Sequence, residues 1–300
     1  MLKIAYSPIY KYQLPEGHRF PMLKYELLPE QLLYEGTITE ANLFQPKALT
    51  ETTILQTHDA NYWHKLKTLS LTKKEIRKIG FPLSANLVER GTYIAGGTIE
   101  CALYAQQYGV AMNIAGGTHH SFTDRGEGFC LLNDIGIAAT YLLQNQLAKK
   151  ILVIDLDVHQ GNGTAQIFQK EPRVFTFSMH GEKNYPTQKE KSDLDIGMPD
   201  KTEDAAYLKI LTATLDRLFD MIRPDFIFYL SGVDVLASDK LGRLSMSLAG
   251  CKTRDKMVLT RCHQAEIPVA VSMGGGYSEK IATIVEAHAN TFRLAQDIFY

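Results

Sequence analysis

Charge of one sign is what this chain lacks most plainly: 32 Lys and Arg are matched by 33 Asp and Glu over 300 residues. Near-balance leaves no long-range field to recruit nucleic acid or an anionic membrane surface. The densest basic stretch, Lys65 to Lys78, reads as a solvated helix face and turn. Cysteine is scarce too. The four cysteines (Cys101, Cys130, Cys251 and Cys262) include no CxxC pair, which argues against a disulfide framework or a thiolate zinc site. A reducing, cytoplasmic compartment fits that usage. No apolar run is long enough to span a bilayer, and Met1–Tyr6 reads as a first strand rather than a signal peptide. Internal repeats and low-complexity linkers are also missing.

What is present is an alternation of short β-rich runs with longer helical patterns. Strands are predicted at Leu2–Tyr6, Val110–Ile114, Ile151–Asp155, Val174–Met179, Phe226–Leu230 and Ile267–Ser272. Helices are predicted over Leu83–Tyr108, Leu131–Leu147, Glu203–Met221, Leu248–Glu266 and Ser278–Phe292. This order predicts an α/β fold, one three-layer α/β/α domain over residues 1–300 with a mostly parallel central sheet. The charge-rich segment Gln188 to Asp204 reads as a surface loop beside the site. Unusual residues then gather where strands end. Val110–Ile114 runs into Gly116-Gly117-Thr118-His119-His120, Ile151–Asp155 into Asp157 and His159, Phe226–Leu230 into Asp234, and Ile267–Ser272 into Gly274-Gly275-Gly276-Tyr277. Open α/β sheets bind ligands at that edge.

Asp155, Asp157 and His159 alternate, and strand side chains repeat every two residues, so all three are expected to point one way. Burying like charges is costly unless a cation or hydrogen bonds compensate. A divalent metal held by carboxylate oxygen and neutral imidazole is the simplest compensation. Asp157, His159 and Asp234 are the candidate ligands, a set that leaves a position open for water and substrate. The competing reading makes Asp155 and Asp157 caps of a helix starting near Gly161. His119-His120, after two glycines that permit a tight turn, can present two imidazoles to one pocket for proton transfer. Gly274–Tyr277 lacks the Lys-Ser/Thr of a phosphate loop. Glycines that deliver a tyrosine hydroxyl to a developing oxyanion make better sense, against a plain structural turn. Gly128-Phe129-Cys130 is placed to wall a narrow channel. His18-Arg19-Phe20-Pro21 is a segment that borders the pocket, His58-Asp59 reads as a helix cap, and His263 and His288 as surface or satisfied core residues.

These residues resemble the zinc-dependent histone deacetylase family of the arginase/deacetylase superfamily. The resemblance spans nearly the whole chain and rests on GGTHHS (Gly116–Ser121), GFCLLND (Gly128–Asp134), DLDVHQGNGT (Asp155–Thr164), SGVDVLASDKLG (Ser231–Gly242) and GGGY (Gly274–Tyr277). DRGEGFC, HQGNG and GVDVLASDKLGRLSMS look like the class IV branch, and PEGHRFPMLKY is similar to bacterial members. The resemblance implies one Zn2+ on Asp157, His159 and Asp234, with His120 as general base and acid and His119 as its electrostatic partner. It implies that Tyr277 donates to the oxyanion and that Asp155 orients His119. Gly128, Phe129 and Tyr185 would line the tunnel for an acyl-lysine stem. A monovalent cation such as K+ would sit near Asp155, Asp157, His159 and Ser178.

The implied activity is removal of an acyl group from Nε-acyl-lysine on a protein or peptide. Acylated polyamine or another small amide is the alternative substrate. A catalytically weak acyl-lysine binding protein and a two-metal ureohydrolase are the rivals. One departure stands out: Asn162 occupies a place where many members carry aspartate. A neutral amide still orients His120 but supports its imidazolium less, so the imidazole should protonate at lower pH.

Overall fold

The computed structural model describes residues 1–300. Its eight strands are β1 (Lys3–Ala5), β2 (Leu43–Phe44), β3 (Val110–Asn113), β4 (Ile151–Asp155), β5 (Val174–Gly181), β6 (Leu194–Met198), β7 (Phe226–Gly232) and β8 (Val269–Gly274). They form one sheet in the order β2-β1-β3-β8-β7-β4-β5-β6, with every neighbouring pair parallel. The four central strands β3, β8, β7 and β4 are buried at every residue. Parallel strands covered on both faces read as continuous apolar runs, which is why these were visible in the sequence.

Helices cover both faces. On one side α5 (Ala85–Tyr108), α6 (Asp134–Gln144) and α7 (Asn162–Phe168) contact one another in series. On the other side α1 (Lys24–Tyr34), α10 (Ile281–Phe299), α9 (Leu248–Gln264) and α8 (Asp204–Ile222) do the same. Capping fixes several starts: Ser84 accepts from the Leu87 N–H, Asn133 from Gly136 and Ser247 from Gly250. No helix is long and apolar enough to cross a membrane.

Two sequence expectations need correction. Gln188–Asp204 is not loop throughout, because Leu194–Met198 forms edge strand β6 against Phe177–Gly181 of β5. Its alternation is only half-buried and sits amid charge, so the short apolar signal is diluted. Helix α1 was not predicted at all. It carries Pro29 inside it, a residue that ordinarily ends a helix. The short helices α2 (Glu51–Ile54), α3 (Ala60–Lys67) and α4 (Lys73–Ile79) complete the elements, and α4 confirms a solvated basic face for Lys73, Lys74, Arg77 and Lys78.

The chain runs from β3 past two empty positions to β4, and β7 and β8 later fill the gap. That reversal brings the carboxyl ends of β3, β8, β7 and β4 side by side. Asp134, fully buried at the start of α6, pins one of them. It accepts from Thr98 Oγ1 (2.8 Å), Thr118 N (2.8 Å), Thr118 Oγ1 (2.7 Å) and Ser272 Oγ (2.9 Å), tying α5 and β8 to the loop leaving β3. Asp134→Ala would leave these donors buried without an acceptor. Urea denaturation should register a loss of about 3 kcal/mol, and an unchanged midpoint would refute the pinning role.

Candidate active site

Past Asp155 the backbone bends instead of staying extended, so strand alternation no longer governs where side chains point. Asp155 diverges from its two successors. Its Oδ2 lies 2.7 Å from His119 Nδ1, and its Oδ1 accepts from the Asp157 N–H at 3.1 Å. The expectation that Asp155, Asp157 and His159 face the same way is therefore corrected. The capping alternative also fails: Gly161 stands at the start of α7 with no side-chain cap.

Asp157 and His159 meet Asp234 instead, and one ligand atom from each lies within 4.8 Å of the others. His159 Nδ1 is 3.0 Å from Asp157 Oδ1 and 3.2 Å from Asp234 Oδ2. Asp234 Oδ2 is buried without a hydrogen-bond partner, the signature of an acceptor waiting for a cation. Backbone amides orient the carboxylates: His159 N–H donates to Asp157 Oδ1 and Val158 N–H to Asp234 Oδ1, both at 2.9 Å. The glycine turn packs directly on this group. Gly275 has φ +29°, and a Cβ there would fall 2.0 Å from Asp234 Oδ2.

Behind the site lies a buried guanidinium that the sequence did not reveal. Arg254 of α9 donates from Nη1 to the Leu156 carbonyl (3.1 Å) and the Gly232 carbonyl (2.5 Å). Those carbonyls belong to the ends of β4 and β7, just before Asp157 and Asp234. Asp255 holds Arg254 through Nε (2.8 Å) and also accepts from the Thr291 and Tyr229 hydroxyls.

The tandem histidines have different partners. His119 is bonded to Asp155, whereas His120 Nδ1 lies 2.6 Å from Asn162 Oδ1. An amide oxygen only accepts, so His120 carries its proton on Nδ1 and leaves Nε2 with a lone pair. For His119, burial would lower the pKa, but Asp155 and Asp157 outweigh it and raise it to about 9. For His120, burial and the neighbouring His119 and His159 push it well below the usual value. His159 is raised to about 10, its two carboxylates prevailing over burial. Burial and Asp157 push Asp234 up to about 7.

These groups open into a cavity of about 550 Å³ that is also lined by Gly128, Phe129, Tyr185 and Tyr277. Phe129 packs among Phe20, Phe81, His18 and Tyr277, with ring centroids 5.1–6.0 Å away. The Tyr185 ring stands perpendicular to His120 at 4.9 Å. Gly128 has φ +52°, and a Cβ there would meet His120 Cδ2 at 2.6 Å, so the wall can approach the imidazole only as glycine. Burial, then Asp234 and Asp157, hold the Tyr277 hydroxyl protonated by raising its pKa well above 10.

Two further residues were missed. Glu127 accepts from Tyr185 Oη (2.5 Å), Arg125 Nε (3.0 Å) and Lys78 Nζ (3.2 Å), tying together segments that line the cavity. Lys24 of α1 is buried beside the Tyr277 and Phe20 rings and donates to the Gly275 carbonyl; burial lowers its pKa to about 8. Glu127 lies in DRGEGFC and Lys24 in PEGHRFPMLKY, but the resemblance of those segments assigned neither residue a role. Of the segment His18–Pro21, Arg19 and Phe20 line the cavity, while His18 stacks on Phe81 and is bonded to the Gly80 carbonyl. Asp59 caps α3 while His58 is buried against the Phe122 carbonyl. His263 is exposed, but His288 is not a satisfied core residue: neither ring nitrogen is bonded, and burial, then Lys24, lower its pKa well below 6.5.

A parallel α/β domain with an Asp–His–Asp group and paired histidines at its switch point defines the class of protein. A profile of the histone deacetylase domain matches residues 18–292. The chain belongs to the histone deacetylase family. It is 45% identical over 296 residues to an uncharacterized protein of Picosynechococcus sp., covering 99% of each. It is 27% identical to histone deacetylase 2 of Arabidopsis thaliana, covering 95% of this chain and 76% of that one. A crystal structure of a histone deacetylase homologue from Aquifex aeolicus superposes with TM-score 0.84 at 23% identity, covering 98% of this chain and 84% of that chain.

Asn162→Asp supplies the missing carboxylate at His120 Nδ1. Imidazole NMR titration of the metal-free protein should then place His120 protonation about one to three pH units higher. No movement would mean that residue 162 does not control this histidine.

Proposed function

We propose that this chain is a zinc-dependent hydrolase that removes an acyl group from Nε-acyl-lysine. The observation that carries the reading is the buried, unbonded Asp234 Oδ2 converging with Asp157 and His159 beside a histidine with a free Nε2. Zinc held by Asp157, His159 and Asp234 would supply a Lewis acid for the acyl carbonyl and acidify a nearby water. Asp and His donors with an open position suit that ion.

The chain's own groups divide the remaining work. His120 Nε2 takes a proton from the attacking water and returns it to the departing lysine nitrogen. Its low pKa keeps it in the base form at neutral pH. His119, held by Asp155, sits 4.1 Å away ring to ring and sets the local charge. Tyr277, kept protonated, donates to the carbonyl oxygen as charge develops there. Phe129 and Tyr185 enclose the aliphatic stem, and Gly128 lets that wall close on His120. One amide C–N bond breaks and one water is consumed. A K+ ion near Asp155, Asp157, His159 and Ser178 would add positive charge there, Asp155 and Ser178 being register partners on β4 and β5.

An acyl-lysine peptide series from acetyl to myristoyl, with zinc-loaded protein, tests the reading. Hydrolysis should depend on the metal, reach about one zinc per chain, and vanish in Asp157→Ala. Two manganese ions per chain would instead favour the ureohydrolase. Tyr277→Phe should cost about 2.7–4 kcal/mol of barrier, roughly 10²–10³ in kcat. Wild-type turnover in that variant would remove the tyrosine from the chemistry.

A further inference from the structure

The cavity wall is far from neutral although the chain is nearly so. Lys and Arg contribute seven lining residues, and the carboxylates contribute two, Asp157 and Asp234, both in the metal group. Lys24 and Arg90 lie buried at depth. The other five, Arg19, Lys78, Lys183, Lys240 and Arg243, are exposed around the mouth. Two of these are neutralised: Lys78 by Glu127 at 3.2 Å, and Arg243 by Asp200 through a double contact.

Arg19, Lys183 and Lys240 have no carboxylate within ion-pair reach. They come from three separate segments that ring the opening. Arg19 precedes α1 and lies over the Phe129 ring at 5.0 Å. Lys183 follows β5, two residues before Tyr185. Lys240 follows β7, next to Asp239. The adjacent acidic residues, Asp239 and Glu182, form no ion pair with them. Asp239 accepts from the Leu241 and Gly242 amides (2.8 Å each) and from Tyr277 N–H (2.6 Å). Glu182 is exposed, with its Cβ and Cγ beside Gly197 on β6.

We propose that this mouth selects acyl-lysines flanked by aspartate or glutamate and disfavours polycationic substrates, acylated polyamines and lysine-rich tails included. The inference rests on the deacylase reading above and narrows its substrate. Like-charged cations at a low-dielectric opening raise the cost of approach, and opposite charges speed encounter and lower KM. A polyamine brings extra ammonium groups to the mouth, whereas an acidic segment supplies the carboxylates that Arg19, Lys183 and Lys240 lack.

Three acyl-lysine peptides of equal length, flanked by Glu, Gln or Lys, together with acetylspermidine, provide the test. With zinc-loaded protein at low salt, kcat/KM should fall from Glu to Gln to Lys by about tenfold overall, mainly through KM. The spread should shrink as salt shortens the Debye length from about 30 Å at 0.01 M to 3 Å at 1 M. Lys183→Glu with Lys240→Glu should reverse the order, each rate being taken relative to the Gln peptide. Arg19 is left in place because it packs on the tunnel wall. Equal kcat/KM across the three flanks, or acetylspermidine turned over faster than the Gln peptide, overturns the selection while leaving the deacylase reading standing. No hydrolysis of the Gln peptide overturns both.

Discussion

Three carboxylates buried along one edge of the sheet are the constraint on which the site depends. Asp155, Asp157 and Asp234 are all nearly inaccessible to water. Charges moved out of water cost several kcal/mol each even after relaxation. The protein offsets that cost with cations and dipoles, each of which also aims a functional group. His119 faces Asp155, His159 faces Asp157 and Asp234, and the Asp157, Val158 and His159 amides supply three fixed hydrogen bonds. Asp234 Oδ2 accepts no hydrogen bond and has only the contact with His159 Nδ1 at 3.2 Å. The least satisfied of these acceptors therefore lies where Asp157, His159 and Asp234 meet the cavity.

The buried Arg254–Asp255 pair follows the same logic at one remove. An ion pair of this kind adds little stability compared with apolar residues of equal volume. What it does here is geometric. Arg254 bridges the Leu156 and Gly232 carbonyls, so the ends of β4 and β7 cannot drift apart without breaking charge-assisted hydrogen bonds. Asp134 does similar work between β8 and the loop after β3. Four strand ends, far apart in sequence, are held in register by two buried charges.

This explains what could be read from the chain in advance. The central strands were legible because burial on both faces makes them uninterrupted apolar runs. Asp157, His159, Asp234, the His pair and Tyr277 were legible because each directly follows such a run, and the structure brings them to one cavity. Edge strand β6 and helix α1 were not, since one is half-exposed amid charge and the other contains a proline. Arg254, Glu127 and Lys24 were illegible for a different reason. Apart from Asp255 beside Arg254 and Arg125 near Glu127, their hydrogen-bond partners lie tens to hundreds of positions away, and no local pattern names those partners. The common direction of Asp155, Asp157 and His159 was misjudged because strand alternation was carried past Asp155, where β4 ends, to residues two and four positions further on.

The two adjacent imidazoles show how little covalent difference is needed to divide labour. His119 and His120 share a loop, a degree of burial and a neighbouring Asp157, yet their partners are a carboxylate and a carboxamide. Asp155 favours a protonated ring because its charge is satisfied by one. Asn162 offers the same acceptor oxygen without the charge, so it fixes the tautomer and leaves the ring neutral. His119 at about 9 and His120 well below 6.5 are the result. A second cation at His120 would be repelled by both His119 and His159. The neutral amide therefore matches the charge already present, and His120 is left as the imidazole with a lone pair free to accept a proton.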